Sequence, residues 1–170
     1  MNTDVVSLRS RKYVLAIDPG LKCLGWALFC EGKLIACGVS RSKNNRHLGK
    51  CAQDHINNLL NLGIKPEVSV LLERPKIYTL TKQKGDQNDL IAIAIVGAIV
   101  SGALSMYPVE EVFPDGWKGQ MPKDVCHRRI DRRLTDEETR VKETLPKAKT
   151  VRHNGLDAIG IGLFGVGRRP

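Results

Sequence analysis

Apolar residues along the chain fall into short runs that end in an acid or a turn and longer runs with helical spacing. Tyr13 to Asp18, "YVLAID", reads as a first, buried strand whose end carries an acid, followed at once by Pro19-Gly20. Leu24 to Cys30 reads as a second strand and Lys33 to Val39 as a third, with Glu31-Gly32 as the tight turn between them. His47 to Leu62 has helical spacing, and Gly63 is a stop. Val68 to Leu72, "VSVLL", is a fourth strand that again ends in an acid, Glu73, with Pro75 beyond it. Thr79 to Asp89 is polar and reads as a mobile loop, Leu90 to Tyr107 as a helix, and Glu111 to Phe113 as a short fifth strand. Pro122 to Leu134 is a basic helix. Thr135 to Leu145 is another, opened by a capping box of Thr135 and Glu138. The last helix runs from about His153 to Val166.

A strand meander followed by alternating helices and strands is an α/β pattern. It predicts a three-layer sandwich with a mixed five-stranded sheet flanked by helices. In the usual order for that pattern the first and fourth strands are neighbours. Asp18 and Glu73 then stand side by side at matching strand ends. Residues 1–12 read as a flexible basic arm and residues 13–170 as a single domain.

Leu90 to Tyr107, "LIAIAIVGAIVSGALSMY", holds 18 uncharged residues, the lower limit for a membrane span. Eight of them are Ala, Gly or Ser, so the segment reads instead as a buried core helix. Ala94, Ala98 and Gly102 make a small-residue row along it, suited to a subunit interface or to packing on the sheet. No membrane association is expected.

Charge changes the picture more than composition does. Lys and Arg number 27 against 18 Asp and Glu, a net charge of +9. For a small domain that favours a polyanionic partner, nucleic acid first. The five cysteines form no Cys-x-x-Cys and no zinc-spaced cluster. With no secretory h-region in Met1 to Lys12, they point to a reducing compartment, the cytoplasm.

Two carboxylates at adjacent buried strand ends repel each other. A divalent cation resolves the repulsion, and oxygen ligands suit Mg²⁺ or Mn²⁺. Two such ions can hold the attacking water and the leaving oxygen of a phosphodiester. A third acid, Asp157, enters the apolar stretch of "RHNGLDAIGIGLFG". Asn154 and His153, three and four residues earlier, share its helix face and are feasible ligands, or else caps of that helix.

"IDPGLKCLGWALF", the Glu after "VLLE", and "NGLDAIGIG" together resemble the RuvC family of Holliday-junction resolvases, within the RNase H-like superfamily. The resemblance spans about Tyr13 to Gly165, and "VFPDGWKGQMPKD" is similar to the RuvC-like resolvases of bacteriophages. It implies an Mg²⁺-dependent endonuclease for four-way DNA junctions, a homodimer with two active sites, and a bacterial or phage-infected cell. It implies metal-site roles for Asp18, Glu73 and Asp157. The fourth family position, often Asp and sometimes His, is Asn154 here, with His153 one residue before it. Either completes the site, His153 as ligand or general base.

Lys118 and Lys123 flank "GQMP", and Arg128, Arg129, Arg132 and Arg133 form two rows on one helix, suited to phosphate tracking. Tyr78, Lys82 and Lys84 follow Glu73, and in the family this region approaches the junction centre. Tyr78 is a candidate for stacking on an unpaired base, or a core residue. Trp26 reads as core, and Trp117 as core or DNA-facing. Three other readings compete. One is a related RNase H-like nuclease with a branched-DNA or RNA substrate. One is a junction-binding protein with a metal site weakened by Asn154. The third is an actin-like or sugar-kinase phosphate loop, which needs two such domains and does not fit 170 residues.

Overall fold

The computed structural model describes residues 11–44, 47–64, 66–77 and 86–170. The first strand, β1 (Tyr13–Asp18), sends Val14 and Ala16 to one face and Leu15 and Ile17 to the other, all of them buried. A strand apolar on both faces needs cover on both, so it belongs at the centre of a sheet. β1 pairs antiparallel with β2 (Cys23–Cys30) and parallel with β4 (Val68–Glu73). β3 (Lys33–Arg41) flanks β2, and β5 (Val109–Val112) flanks β4, giving the order β3-β2-β1-β4-β5. This is the mixed five-stranded α/β sheet that the sequence predicts. Ile17 pairs with Leu72, so Asp18 and Glu73 follow at matching ends of adjacent strands. The β2–β3 turn places Glu31 at φ 50° and Gly32 at φ 79°. Two successive left-handed residues are what a two-residue hairpin needs to match strand twist.

Helices cover both faces. α1 (Leu48–Leu60) and α2 (Gln87–Ala103) pack against Leu15, Ile17, Val70 and Leu72. α6 (Lys149–Gly165) covers the other face against Val14, Ala16, Ala27, Phe29 and Leu71. The short turn α3 (Pro114–Trp117) and the helices α4 (Lys123–Arg133) and α5 (Asp136–Lys142) complete that layer, with Trp117, Cys126 and Ile130 in its core. All five cysteines are free thiols. Among the described residues no helix is long and apolar enough to cross a membrane.

Two helices differ from expectation. α6 begins at Lys149, with Ala148 as its N-cap, so His153 and Asn154 lie inside the helix and cap nothing. Asn is a good cap by itself, but packing of the following apolar turns carries the helix back past it. α2 begins earlier than Leu90, because the Asp86 side chain caps it by accepting from Asn88 N. Nor is α2 a fully buried core helix. Val96, Gly97 and Val100 are buried, while Ile91, Ile95 and Ile99 are 49%, 43% and 39% exposed. A helix apolar on all sides carries no periodicity to say which side faces the core. Ala98 and Gly102 of the small-residue row are exposed as well, so that row does not pack on the sheet.

A buried carboxylate locks the outer layer to the sheet. Glu138, only 2% exposed, accepts from Leu34 N at 2.9 Å and from Thr135 N at 2.8 Å, the latter within the expected capping box. Arg168 grips it with two nitrogens, at 2.5 and 2.8 Å. Burial alone would raise its pKa, but the Arg168, Thr135 and Leu34 bonds outweigh burial and lower it to about 2. The folded value lies below the ordinary 4.5, so this stabilisation is complete above that pH and fades as pH falls toward 2. Glu138→Gln is expected to cost about 3 kcal/mol at neutral pH. In urea titrations the gap between wild type and variant should shrink on acidification; a gap independent of pH would contradict the assigned role.

Candidate active site

Asp18 ends β1 because Pro19 cannot continue the ladder, and the chain turns away at Gly20. Buried polar groups of α1 fix that turn. His55 is fully buried, with Nδ1 2.8 Å from Ser40 Oγ and Nε2 3.2 Å from Leu21 O. A carbonyl only accepts, so Nε2 carries the proton and Nδ1 accepts from Ser40. Burial lowers the His55 pKa, which keeps the ring in that neutral form. Ser40 Oγ in turn accepts from Asn58, and Cys51 Sγ donates to the same Leu21 carbonyl at 2.8 Å.

α6 brings the third acid. Gly25 pairs with Asp18 across β1 and β2, and a Cβ on Gly25 would lie 1.9 Å from the Asn154 carbonyl oxygen. Only glycine lets α6 cross β2 at that distance. The crossing sets Asn154 and Asp157 over the Asp18 strand end. Asp18, Glu73, Asn154 and Asp157 line one cavity of about 770 Å³, enough for a nucleotide rather than an ion alone. Lys118 and Lys123 stand in the same wall.

Each acid has its own surroundings. Burial, then the charges of Asp157 and Glu73, hold the Asp18 carboxyl well above the usual carboxylate range. Burial also raises Glu73, although Lys118 Nζ at 3.5 Å and a Trp117 Nε1 bond of 2.5 Å offset part of this. Asp157 goes the other way. Burial would raise it, but His127 Nε2 at 2.8 Å from Oδ1 and Lys123 Nζ at 2.8 Å from Oδ2 bring it below its ordinary value. The Lys118 ammonium, partly buried, is nonetheless held protonated by Glu73, Asp157 and Asp18. The cluster therefore holds an ionised Asp157, two acids under repulsion, and two lysine cations.

The fit of a divalent cation can be tested on these contacts. Among the described residues no three His, Cys, Asp or Glu side chains stand close enough to form a ready metal cage. The oxygens of Glu73 and Asp157 instead engage the two ammonium groups, which already sit where positive charge is most favoured. The donor set, three carboxylates and an amide oxygen, suits a hard cation once the lysines give way.

Of the two candidates for the fourth position, Asn154 lines the cavity. His153 is not in that wall, and its Nδ1 lies 3.1 Å from Lys149 O. Arg128, Arg129, Arg132 and Arg133 are exposed on α4, outside the cavity wall. Tyr78, Lys82 and Lys84 lie outside the described residues, as do residues 1–10 of the basic arm. Trp117 is 3% exposed: it is core, with its indole nitrogen bonded to Glu73. Sequence reasoning missed that bond and the His127–Asp157 contact. The one available signal was that His127 lies one turn beyond Lys123 on the basic helix.

The fold and its cavity define an α/β protein of the RNase H-like type with an acidic site at the strand ends. No protein-family model and no curated protein sequence matches the chain. Solved structures do. RuvC of Thermus thermophilus in complex with a Holliday-junction substrate is similar at TM-score 0.59 and 16% identity, covering 92% of this chain and 98% of that one. A second structure of Thermus thermophilus RuvC gives 0.57 at 16%, covering 92% and 95%. The yeast mitochondrial Holliday-junction resolvase Ydc2 gives 0.57 at 13% identity, covering 96% and 85%. The fold is that of the RuvC Holliday-junction resolvases, as the motifs predicted.

Because repulsion and burial both act on Asp18, its ionised form costs stability at neutral pH. Its folded pKa is raised, so stability is greatest when it is protonated and declines as pH rises through the unfolded and then the folded value. Asp18→Asn in EDTA should therefore raise the melting temperature by several degrees at neutral pH. A lower melting temperature in differential scanning calorimetry would remove the like-charge account.

Proposed function

We propose that the chain is an Mg²⁺-dependent endonuclease that cuts four-way DNA junctions by phosphodiester hydrolysis. The observation that carries this is the convergence of Asp18, Glu73, Asp157 and Asn154 in one cavity with two lysines. That cavity sits in a fold whose solved relatives include a RuvC bound to a Holliday junction.

Asp18, Glu73 and Asp157 would hold the metal, with Asn154 adding a neutral amide oxygen as a weaker fourth ligand. When bound, Mg²⁺ supplies a nucleophilic water at neutral pH and charge neutralisation at the scissile phosphate; Mn²⁺ can substitute. Trp117 orients Glu73, and His127 holds Asp157 from outside the cavity wall, each by one hydrogen bond. Lys118 and Lys123, released from the acids, are within the cavity to bind the phosphate. The exposed arginines of α4 supply further phosphate contacts without sequence readout.

Two symmetric cuts need two active sites, and a homodimer provides them. The exposed Ile91, Ile95 and Ile99 row of α2 supports a second copy as its cover. The free cysteines support work in a reducing cytoplasm, bacterial or phage-infected. The bacteriophage subclass rests on the Val112–Asp124 segment. A junction-binding protein without cleavage is the second reading, favoured by the missing charge at Asn154 and by the lysines on the acids.

Asp18→Asn and Asp157→Asn are each expected to lower Mg²⁺-dependent cleavage of a four-way junction about a thousandfold or more while junction binding persists. The assay compares junction, duplex and RNA–DNA hybrid in Mg²⁺ and in Mn²⁺. Absence of wild-type cleavage in either metal favours the binding protein; preference for the hybrid favours an RNA-processing nuclease. Ile95→Asp should convert the dimer to monomer in sedimentation velocity. An unchanged sedimentation coefficient would place the interface elsewhere.

A further inference from the structure

Phe113, the last residue of the fifth strand by the sequence pattern, lies one residue beyond β5 and is 43% exposed. It stands at the rim of the acidic cavity: its neighbour Pro114 lines the wall, as do Pro75 and Lys76 from the segment after β4. Two cations flank the ring. The Arg74 guanidinium carbon lies 5.4 Å from its centroid and Lys76 Nζ lies 5.6 Å from it. Acids of the same rim steer both cations, with Arg74 Nη1 3.4 Å from Glu111 Oε2 and Lys76 Nζ 2.5 Å from Asp115 Oδ2.

An exposed aromatic ring beside two cations matches a nucleotide part by part. The base has a π-face for the ring and its phosphate has charge for the cations. The chain's net charge of +9 favours that partner over a cationic or neutral one. Stacking a base on Phe113 exchanges a cation–π contact for a base–aromatic one. The displaced cation stays beside the same nucleotide, where its phosphate can take it. We propose that Phe113, with Arg74 and Lys76, is a nucleobase-stacking platform at the mouth of the cavity. It takes an unpaired base of the branched strand whose phosphate the cavity holds. The platform rests on the junction-cleaving reading but makes a separate claim about binding.

The test crosses a protein change with a DNA change. Wild type, Phe113→Ala and Phe113→Trp are titrated in EDTA with a fluorescent four-way junction and with a duplex of the same sequence. Junctions carrying one abasic nucleotide at each position next to the crossover are titrated in parallel. Phe113→Ala should weaken binding to the intact junction about 5- to 140-fold, leave duplex binding unchanged, and be rescued by Trp. At one abasic position wild type and Phe113→Ala should bind alike. Equal affinity of wild type and Phe113→Ala for the intact junction overturns the platform, as does a loss that no abasic position removes. Coupling without cleavage of the intact junction in Mg²⁺ leaves the platform standing and sinks the nuclease. Cleavage without coupling does the reverse.

Discussion

The structure depends on placing three carboxylates where water cannot fully solvate them and where they repel one another. Burial and mutual charge raise Asp18 and Glu73, while His127 and Lys123 hold Asp157 ionised. Such a cluster is unstable without nearby cations and hydrogen-bond donors. The chain supplies them from one short stretch, the segment from Trp117 to His127. Trp117 and Lys118 answer Glu73; Lys123 and His127 answer Asp157. The acids come from the sheet and α6, and the answering groups come from the layer outside them. The two sets meet only when the whole sandwich is assembled.

The scaffold is arranged to make that meeting rigid. The Leu21 carbonyl just after Asp18 is tied to α1 through His55 and Cys51. The α6 backbone crosses at Gly25 with no room for a side chain. Trp117, buried against α6 and Ile130, anchors the start of the cationic segment. On the same outer layer Glu138 and Arg168 fasten α5 and the C-terminal segment to β3. The His55, Cys51 and Glu138 contacts are polar with every partner buried or half-buried, so each carries geometric specificity as well as energy.

Much of this was legible in sequence, and what was not has definite physical reasons. Strand ends marked by acid and proline gave the positions of Asp18 and Glu73, because backbone chemistry at a strand end is local. The parallel pairing of β1 with β4, which sets the two acids side by side, followed from topology. Asn154 and His153 could not be separated, since both lie near Asp157 on a helix; only the rotation of α6 against β2 distinguishes them. The His127–Asp157 contact spans 30 residues and leaves no periodic trace. The sequence pattern ends the fifth strand at Phe113, one residue late, because Val112 and Phe113 both favour strands and do not mark where a four-residue strand stops. The exposed side of α2 was hidden by its uniform hydrophobicity.

That side of α2 bears on the site more than its distance in sequence suggests. The helix presents apolar residues in three directions. Val96 and Val100 meet the sheet-facing core, Leu90 and Ile93 line the acidic cavity, and Ile91, Ile95 and Ile99 face outward. A helix that served only the core would place polar residues on its outer face, as α1 does with Lys50, Gln53 and Asn57. Exposing three isoleucines in one row costs solubility, and the cost is offset if that row is covered in the working assembly. Because the cavity and the row share one helix, a second copy covering the row, as proposed, would have its own cavity at a fixed place relative to the first. Under the proposed function, two symmetric cuts on one junction, that spacing would matter as much as the carboxylates themselves.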